Sequence, residues 1–426
     1  MTAEIAIMNK MAVALAADSA VTIETGGQVK IYNSNKLFML SRYHPVGIMI
    51  FNSAEIMRVP WESIIKSYRR ELGETGYDTL EEYGHQFIAH LDKNATLFPE
   101  SEQQEYFYRV LEKYLLSMVR EPIDDAVRAV TQKGQKVTAT QIKSITAATI
   151  KGFHDFLERQ PPLKFIPTNF EQDVRANYSN VIEAAIKNVF RNLPLSTDSK
   201  KRLRQICANL VVKEYKEPIY SGVVIAGFGK TDLFPRLVSY QLEGVVNNTL
   251  RYKPHITSSV DRNVSATIIP FAQDEMVHAF MQGVDPAYLQ VLLGYLREFF
   301  RKYHRHVAKL SGLSPAERKE FTKRIEHLGD SMLEDLIATI HNYSREAHVN
   351  PVANTVEFLP LTELALMAES LVNLTSFKRR ITMEAETVGG PIDVAVISKA
   401  DGFIWIKRKR YFEATANNRF YANYFR

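Results

Sequence analysis

Over the first fifty residues, apolar positions come in short runs broken by turn residues. From about residue 77 they recur every three or four positions, and this change of period divides the chain. Residues 4–8 and 11–17 are apolar runs on either side of Asn9-Lys10, which has the composition of a two-residue hairpin turn. Gly26-Gly27 marks a second turn, and residues 36–40 and 46–51 continue the strand pattern. A helix is predicted over 53–72, with Ser53 as its N-cap and Gly73 as its stop. Residues 102–120, 138–158 and 171–192 carry helical periodicity with almost no strand signal, punctuated by Pro161-Pro162 and Pro194.

Strand character returns at 219–229, 235–242 and 264–271. Helices are predicted over 286–310, 314–344 and 361–376. The chain closes on a hairpin, with 392–397 and 403–407 as strands and Ala400-Asp401-Gly402 as the turn. Two sheets with helices packed outside them are the simplest way to bury both apolar faces of so many strands.

Composition narrows the class. The chain has 426 residues, 46% hydrophobic and 24% charged, as in a globular protein. A net charge of +5 is too small at this length to indicate a nucleic-acid partner. The apolar run at 5–17 is interrupted by Asn9 and Lys10, so neither a leader nor a membrane span is expected, and a cytoplasmic location follows. The single cysteine, Cys207, excludes an internal disulfide and a cysteine-based metal site. It lies on an apolar helix face and reads as a core thiol.

Thr2 carries the candidate chemistry. Removal of Met1 would make it the amino terminus, giving one residue both a hydroxyl nucleophile and an α-amine able to serve as its base. Such an amine titrates near ~8, so much of it can accept a proton at neutral pH.

With Thr2 at the front of this element order, the chain resembles the proteasome β subunit and the bacterial HslV peptidase, which are N-terminal-nucleophile (Ntn) hydrolases. The resemblance rests on Thr2 beginning the first strand and on Ala16-Ala17-Asp18-Ser19 ending the second at the family's interval. It also rests on Val29-Lys30-Ile31-Tyr32, on Phe51-Asn52-Ser53 at a strand-to-helix turn, and on Gly389-Gly390 before the closing hairpin. It covers roughly the first 75 residues, 219–301 and 361–409.

The resemblance implies an α+β fold, a four-layer αββα sandwich with an all-helical insertion. Residues 1–76 and 217–426 would form the core, with extra helices near 314–355, and 77–216 the insertion. It implies Thr2, Asp18 and Lys30 as catalytic residues, with Lys30 holding positive charge beside Thr2 and Asp18 fixing Lys30. Lys36 is the competing lysine. Backbone N–H groups of Phe51 or Asn52 would form the oxyanion hole. The activity implied is peptide hydrolysis through an acyl-enzyme, with no cofactor and no metal. The partners implied are a peptide or protein substrate, further copies in a ring or dimer-based assembly and, by analogy, an ATPase. The alternative is a non-catalytic scaffold subunit.

The chain departs from the family pattern at Gly283, Ala385 and Val388, where the family carries a Ser, an Asp and a Ser, and at Phe51-Asn52, where it carries glycines. Elsewhere, His304 and His306 are two apart on a helix, a spacing that points them in different directions and disfavours a metal pair. The tail from Trp405 mixes cations with aromatics and suits docking on a neighbouring subunit better than nucleic acid. Gly227-Phe-Gly-Lys-Thr231 lacks the glycine spacing of a phosphate loop and reads as a strand-end turn.

Overall fold

The computed structural model describes residues 2–25, 28–92, 94–132, 136–215, 220–310, 314–382, 389–410, 412, 417 and 419. The chain divides into two compact units. One comprises Met1–Phe51, Ala226–Arg236 and Ser258–Arg426, the other Asn52–Ile225 and Leu237–Thr257. It is a mixed α and β protein with antiparallel sheets.

The first unit opens with the predicted hairpin, β1 (Ala3–Asn9) and β2 (Ala12–Ala17). The Asn9 side chain takes the Met11 and Ala12 N–H groups at 3.0 and 3.2 Å, an Asx turn in which this side chain closes the reversal. A ribbon of β3 (Ala20–Thr25) and β4 (Gln28–Asn33) follows, then the antiparallel pair β5 (Leu37–Met39) and β6 (Val46–Phe51). The Gly26-Gly27 turn lies outside the described residues.

In the second unit, the helix predicted from Ser53 begins eight residues later. The Ser53 hydroxyl is engaged locally with Glu55, and β7 (Glu55–Ile56) and β8 (Val59–Pro60) form a small hairpin across Met57 and Arg58, both at positive φ. Helix α1 (Trp61–Leu72) therefore starts after Pro60, where the fixed proline φ suits a helix entry, and Gly73 stops it at φ 50°.

The helical block comprises α2 (Leu80–Asp92), α3 (Glu100–Leu115), α4 (Glu121–Gln132), α5 (Ala139–Glu158), α6 (Phe170–Asn177), α7 (Ser179–Phe190) and α8 (Thr197–Val212). A π turn, Leu116–Arg120, joins α3 to α4. Thr138 and Gln141 form a capping box at the head of α5, the boundary the sequence predicts. Phe107, Leu111, Ile150, Leu157, Ile206 and Cys207 lie in one buried cluster of this block.

Strands β9 (Ser221–Gly227), β10 (Arg236–Val246) and β11 (Thr249–Ser259) are adjacent in the order β11-β10-β9. Asn247 and Asn248 make the tight β10–β11 turn at φ 51° and 54°, a conformation asparagine tolerates well. Sequence reasoning missed β11, whose Pro254 and charged positions weaken a strand reading. It is an edge strand, where proline is admissible.

The first unit resumes with β12 (Ala266–Ala272), α9 (Glu275–Gln282), α10 (Pro286–Leu310), α11 (Pro315–Ser344), α12 (Asn350–Glu357) and α13 (Leu361–Ile381). It ends with the hairpin β13 (Asp393–Ser398) and β14 (Gly402–Lys407). The sheet order is β12-β1-β2-β13-β14, so β2 is central. Strand alternation assigns the faces. Ala3, Ile5 and Ile7 pack with Ala12, Ala14 and Ala16 against Leu364, Ala365, Ala368 and Val372 of α13. The alanines let the helix approach closely. Thr2, Glu4, Ala6 and Met8 occupy the other face. On that side β5 approaches β2 and β13, while Ile397 and Phe403 close on Gly47 of β6. Within this unit, helices, sheet and the β5–β6 pair form three successive layers. Every residue of β1 and β2 is buried, as this arrangement requires.

Among the described residues, no helix is long and apolar enough to cross a membrane.

Candidate functional site at the head of the first strand

Thr2 precedes β1 and is 4% exposed. Its carbonyl accepts the Gln273 N–H at 3.1 Å, which continues the β1–β12 ladder by one rung. The next rung opposite is at Ala272, a non-glycine residue at φ 60°. Asp18, immediately beyond β2, fixes the other side. Its N–H donates to the Ala3 carbonyl at 3.1 Å, and its Oδ1 accepts the Ala3 N–H at 3.2 Å. The nucleophile candidate therefore sits on backbone held from both neighbouring strands.

Asp18 also gathers the rest of the cluster. Its Oδ2 accepts the Gly389 N–H at 2.9 Å, and its Oδ1 accepts a hydrogen bond from Lys36 Nζ. Gly389 in turn accepts the Ser19 and Ala20 N–H groups at 3.2 and 3.1 Å, while the Ser19 hydroxyl donates to the Pro391 carbonyl. The glycine pair marked in the sequence thus lies against the aspartate. Gly390 has φ 75°, and a Cβ there would fall 2.7 Å from Asn33 Oδ1.

The lysine that donates to Asp18 is Lys36, the competing candidate in the sequence. Lys36 is 2% exposed, just before β5, and its carbonyl accepts the Ile50 N–H at 2.8 Å. Lys30 lies in β4 opposite Ile23, and its side chain lies outside the described residues. The ribbon explains the exchange. Ala20 pairs with Asn33 at the end nearest Asp18, and Lys30 is three residues farther out, about 10 Å of strand. The chain must return along β4 before it can deliver a lysine to the aspartate, and Lys36 is the first lysine after that return.

Sequence reasoning missed Glu4. It is 2% exposed, two residues from Thr2 on the same face of β1, with Oε1 at 3.5 Å from Lys36 Nζ. Neither carboxyl oxygen has a hydrogen bond of normal geometry. Burial pushes this carboxyl up to about 8, Lys36 opposes the rise, and Asp18 adds to it. The Thr2 hydroxyl and the Lys36 ammonium favour the ionised form weakly. One buried cation faces two buried carboxyls, and Glu4 is the one without a hydrogen bond of normal geometry. The signal for Glu4 was a lone charged residue inside an apolar strand, beside the candidate nucleophile.

Of the backbone donors named for the oxyanion hole, Phe51 ends β6 with its ring 5.2 Å from that of Phe271. Asn52 begins the second unit at φ 68°, in the left-handed region that glycine enters freely and asparagine tolerates. Gly283 is the left-handed C-cap of α9, packed on the His348 ring. Ala385 and Val388 lie outside the described residues, as do the His304 side chain and most of the tail beyond Arg410.

The remaining sequence features resolve as local structure. Cys207 is fully buried, and burial raises its thiol well above the ordinary range. The segment at Gly229 is a turn closed by Asp232 Oδ2 on the Gly229 N–H at 2.8 Å. The exposed His306 is hydrogen-bonded to the Lys302 carbonyl one turn back, at 3.0 Å. Among the described residues, no group of three or more His, Cys, Asp and Glu is placed to hold a metal ion.

No family model matches the chain, and no curated protein matches it. Among solved structures, a mutant form of Anbu from Hyphomicrobium sp. strain MC1 is similar over 100% of this chain and 95% of that chain. It is 8% identical, with a TM-score of 0.28. A likeness of that size carries no argument about fold or ancestry. The resemblance to the proteasome β subunit and HslV is corrected accordingly. With no matching family model and no matching curated protein, the chain is not assigned to that family. The motifs behind it were short, and a threonine start, a lysine in a strand and a glycine pair each arise for ordinary structural reasons.

Proposed function

We propose that this protein is an amide hydrolase that uses the Thr2 hydroxyl as its nucleophile after cleavage of the Met1–Thr2 bond. The observation that carries the reading is the buried ion pair of Lys36 and Asp18 at the strand end that presents Thr2. On this reading the Lys36 ammonium would act on the Thr2 hydroxyl and lower the energy of the alkoxide that develops as the hydroxyl attacks. Asp18 keeps that ammonium in place, and its bonds to Ala3 and Gly389 keep Asp18 in place. A threonine oxygen would attack an amide carbonyl, expel the amine and leave an ester on Thr2 that water then hydrolyses.

A four-layer αββα sandwich is the architecture this reading favours. Backbone N–H groups near Phe51 and Asn52 are the proposed stabilisers of the oxyanion. Peptides or proteins are the proposed substrates, and further copies of the chain the proposed assembly partners.

The test is direct. Intact-mass analysis should find Met1 absent, and a β-lactone probe should add to Thr2. The substitution Thr2→Ala should abolish the adduct while leaving the circular dichroism unchanged. Protein that retains Met1 throughout and gains no adduct would instead be a non-catalytic scaffold.

A further inference from the structure

Glu4 has no role in the chemistry set out above, yet it is a fully buried carboxyl two residues from the nucleophile. Carboxylates are rarely buried without partners that satisfy their oxygens, because desolvation of the unpaired group is costly. Glu4 has an ammonium at 3.5 Å and no hydrogen bond of normal geometry at either oxygen. Its partners across the ladder, Phe271 on β12 and Ala17 on β2, are apolar. The charged groups that act on it are Lys36 and Asp18, and the Thr2 side chain lies close enough to favour its ionised form.

We propose that Glu4 is the proton acceptor for the Thr2 hydroxyl, in place of the α-amine. The inference rests on the reading of Thr2 as nucleophile. As the bond from Thr2 Oγ1 to the substrate carbonyl carbon forms, the Oγ1–H bond breaks and its proton passes to a Glu4 oxygen. When the C–N bond breaks, the departing amine takes that proton from Glu4 and an ester on Thr2 is left. Water then attacks the ester, gives one proton to Glu4 and supplies the new carboxyl oxygen. Glu4 returns its proton to Thr2 Oγ1 as the acid leaves. Lys36 steadies the alkoxide character at Oγ1.

A base held within the apolar interior, with its proton affinity raised by burial, is tuned toward neutral pH, where a general base is most effective.

The experiment measures the rate of Thr2 acylation by a β-lactone, read by intact mass from pH 5 to 9.5, in mature wild type, Glu4→Gln and Glu4→Asp. Wild type should accelerate as pH rises and level off above about 8. Glu4→Gln should label at least ~100-fold more slowly, within the range expected for loss of a general base, and should lose that inflection. Glu4→Asp should retain the inflection at a reduced rate, and it serves as the test if the glutamine variant does not fold. A glutamine variant with the wild-type rate and profile overturns the role of Glu4 and returns the proton to the α-amine. Wild type that does not label at Thr2 fails the nucleophile reading itself, and the proposal with it.

Discussion

Asp18 and Gly389 are 371 residues apart in sequence, yet Asp18 Oδ2 accepts the Gly389 N–H at 2.9 Å. That bond joins the end of β2 to the segment entering β13, the strand paired with β2. The carboxylate therefore has two tasks. It closes the sheet at the end where Thr2 emerges, and it neutralises Lys36.

Lys36 should matter strongly for stability. Replacing Lys36 with methionine leaves Asp18 buried without a cation, a change expected to cost about 3–5 kcal/mol. Urea denaturation at pH 7 measures this. A denaturation midpoint unchanged by Lys36→Met would contradict the pairing described for Asp18.

Glu4 makes stability depend on pH in a definite direction. Its carboxyl holds a proton up to about 8 when folded, against 4.5 for the ordinary group. Between those values the folded state binds more protons than the unfolded one. Stability is therefore greatest at the acidic end of this window and falls as pH rises through it. One proton can contribute at most about 1.4 kcal/mol per pH unit. Denaturation midpoints from pH 5 to 8.5 should decline in wild type, and Glu4→Gln should lessen the decline. A slope unaffected by the substitution would mean that Glu4 is already ionised at neutral pH.

Gly390→Ala should destabilise the protein by about 1–3 kcal/mol, since φ 75° strains any side chain and the new methyl would meet Asn33 Oδ1. Thermal melting tests it. Gly402→Ala shares φ 75° but has open space around the added methyl. The difference between the two variants isolates the contact with Asn33.

The sequence made the local elements legible wherever one physical signal dominated. The β1–β2 hairpin was readable because Asn9 can close the turn with its own side chain. The start of α5 was readable because Thr138 and Gln141 cap each other. The helix predicted from Ser53 failed because serine can serve a local turn as readily as a helix, and Pro60 sets the true start. At the site, Thr2, Asp18 and the glycine pair could be marked from order along the chain. The choice between Lys30 and Lys36 could not, because it depends on how far a ribbon runs before it turns back. Glu4 escaped notice because burial, which gives it its chemistry, becomes visible only once both faces of β1 are covered.

The central place of β2 has a kinetic consequence. A strand bonded on both sides cannot fray as an edge strand does, so its amides exchange with solvent only when a large part of the sheet opens. Asp18 hangs from the end of that strand. The ion pair is thus tied to an interior strand of the sheet, and it should persist through the local openings that loosen loops and helix ends. In hydrogen-exchange experiments, the amides of β2 should be among the last of the unit to exchange.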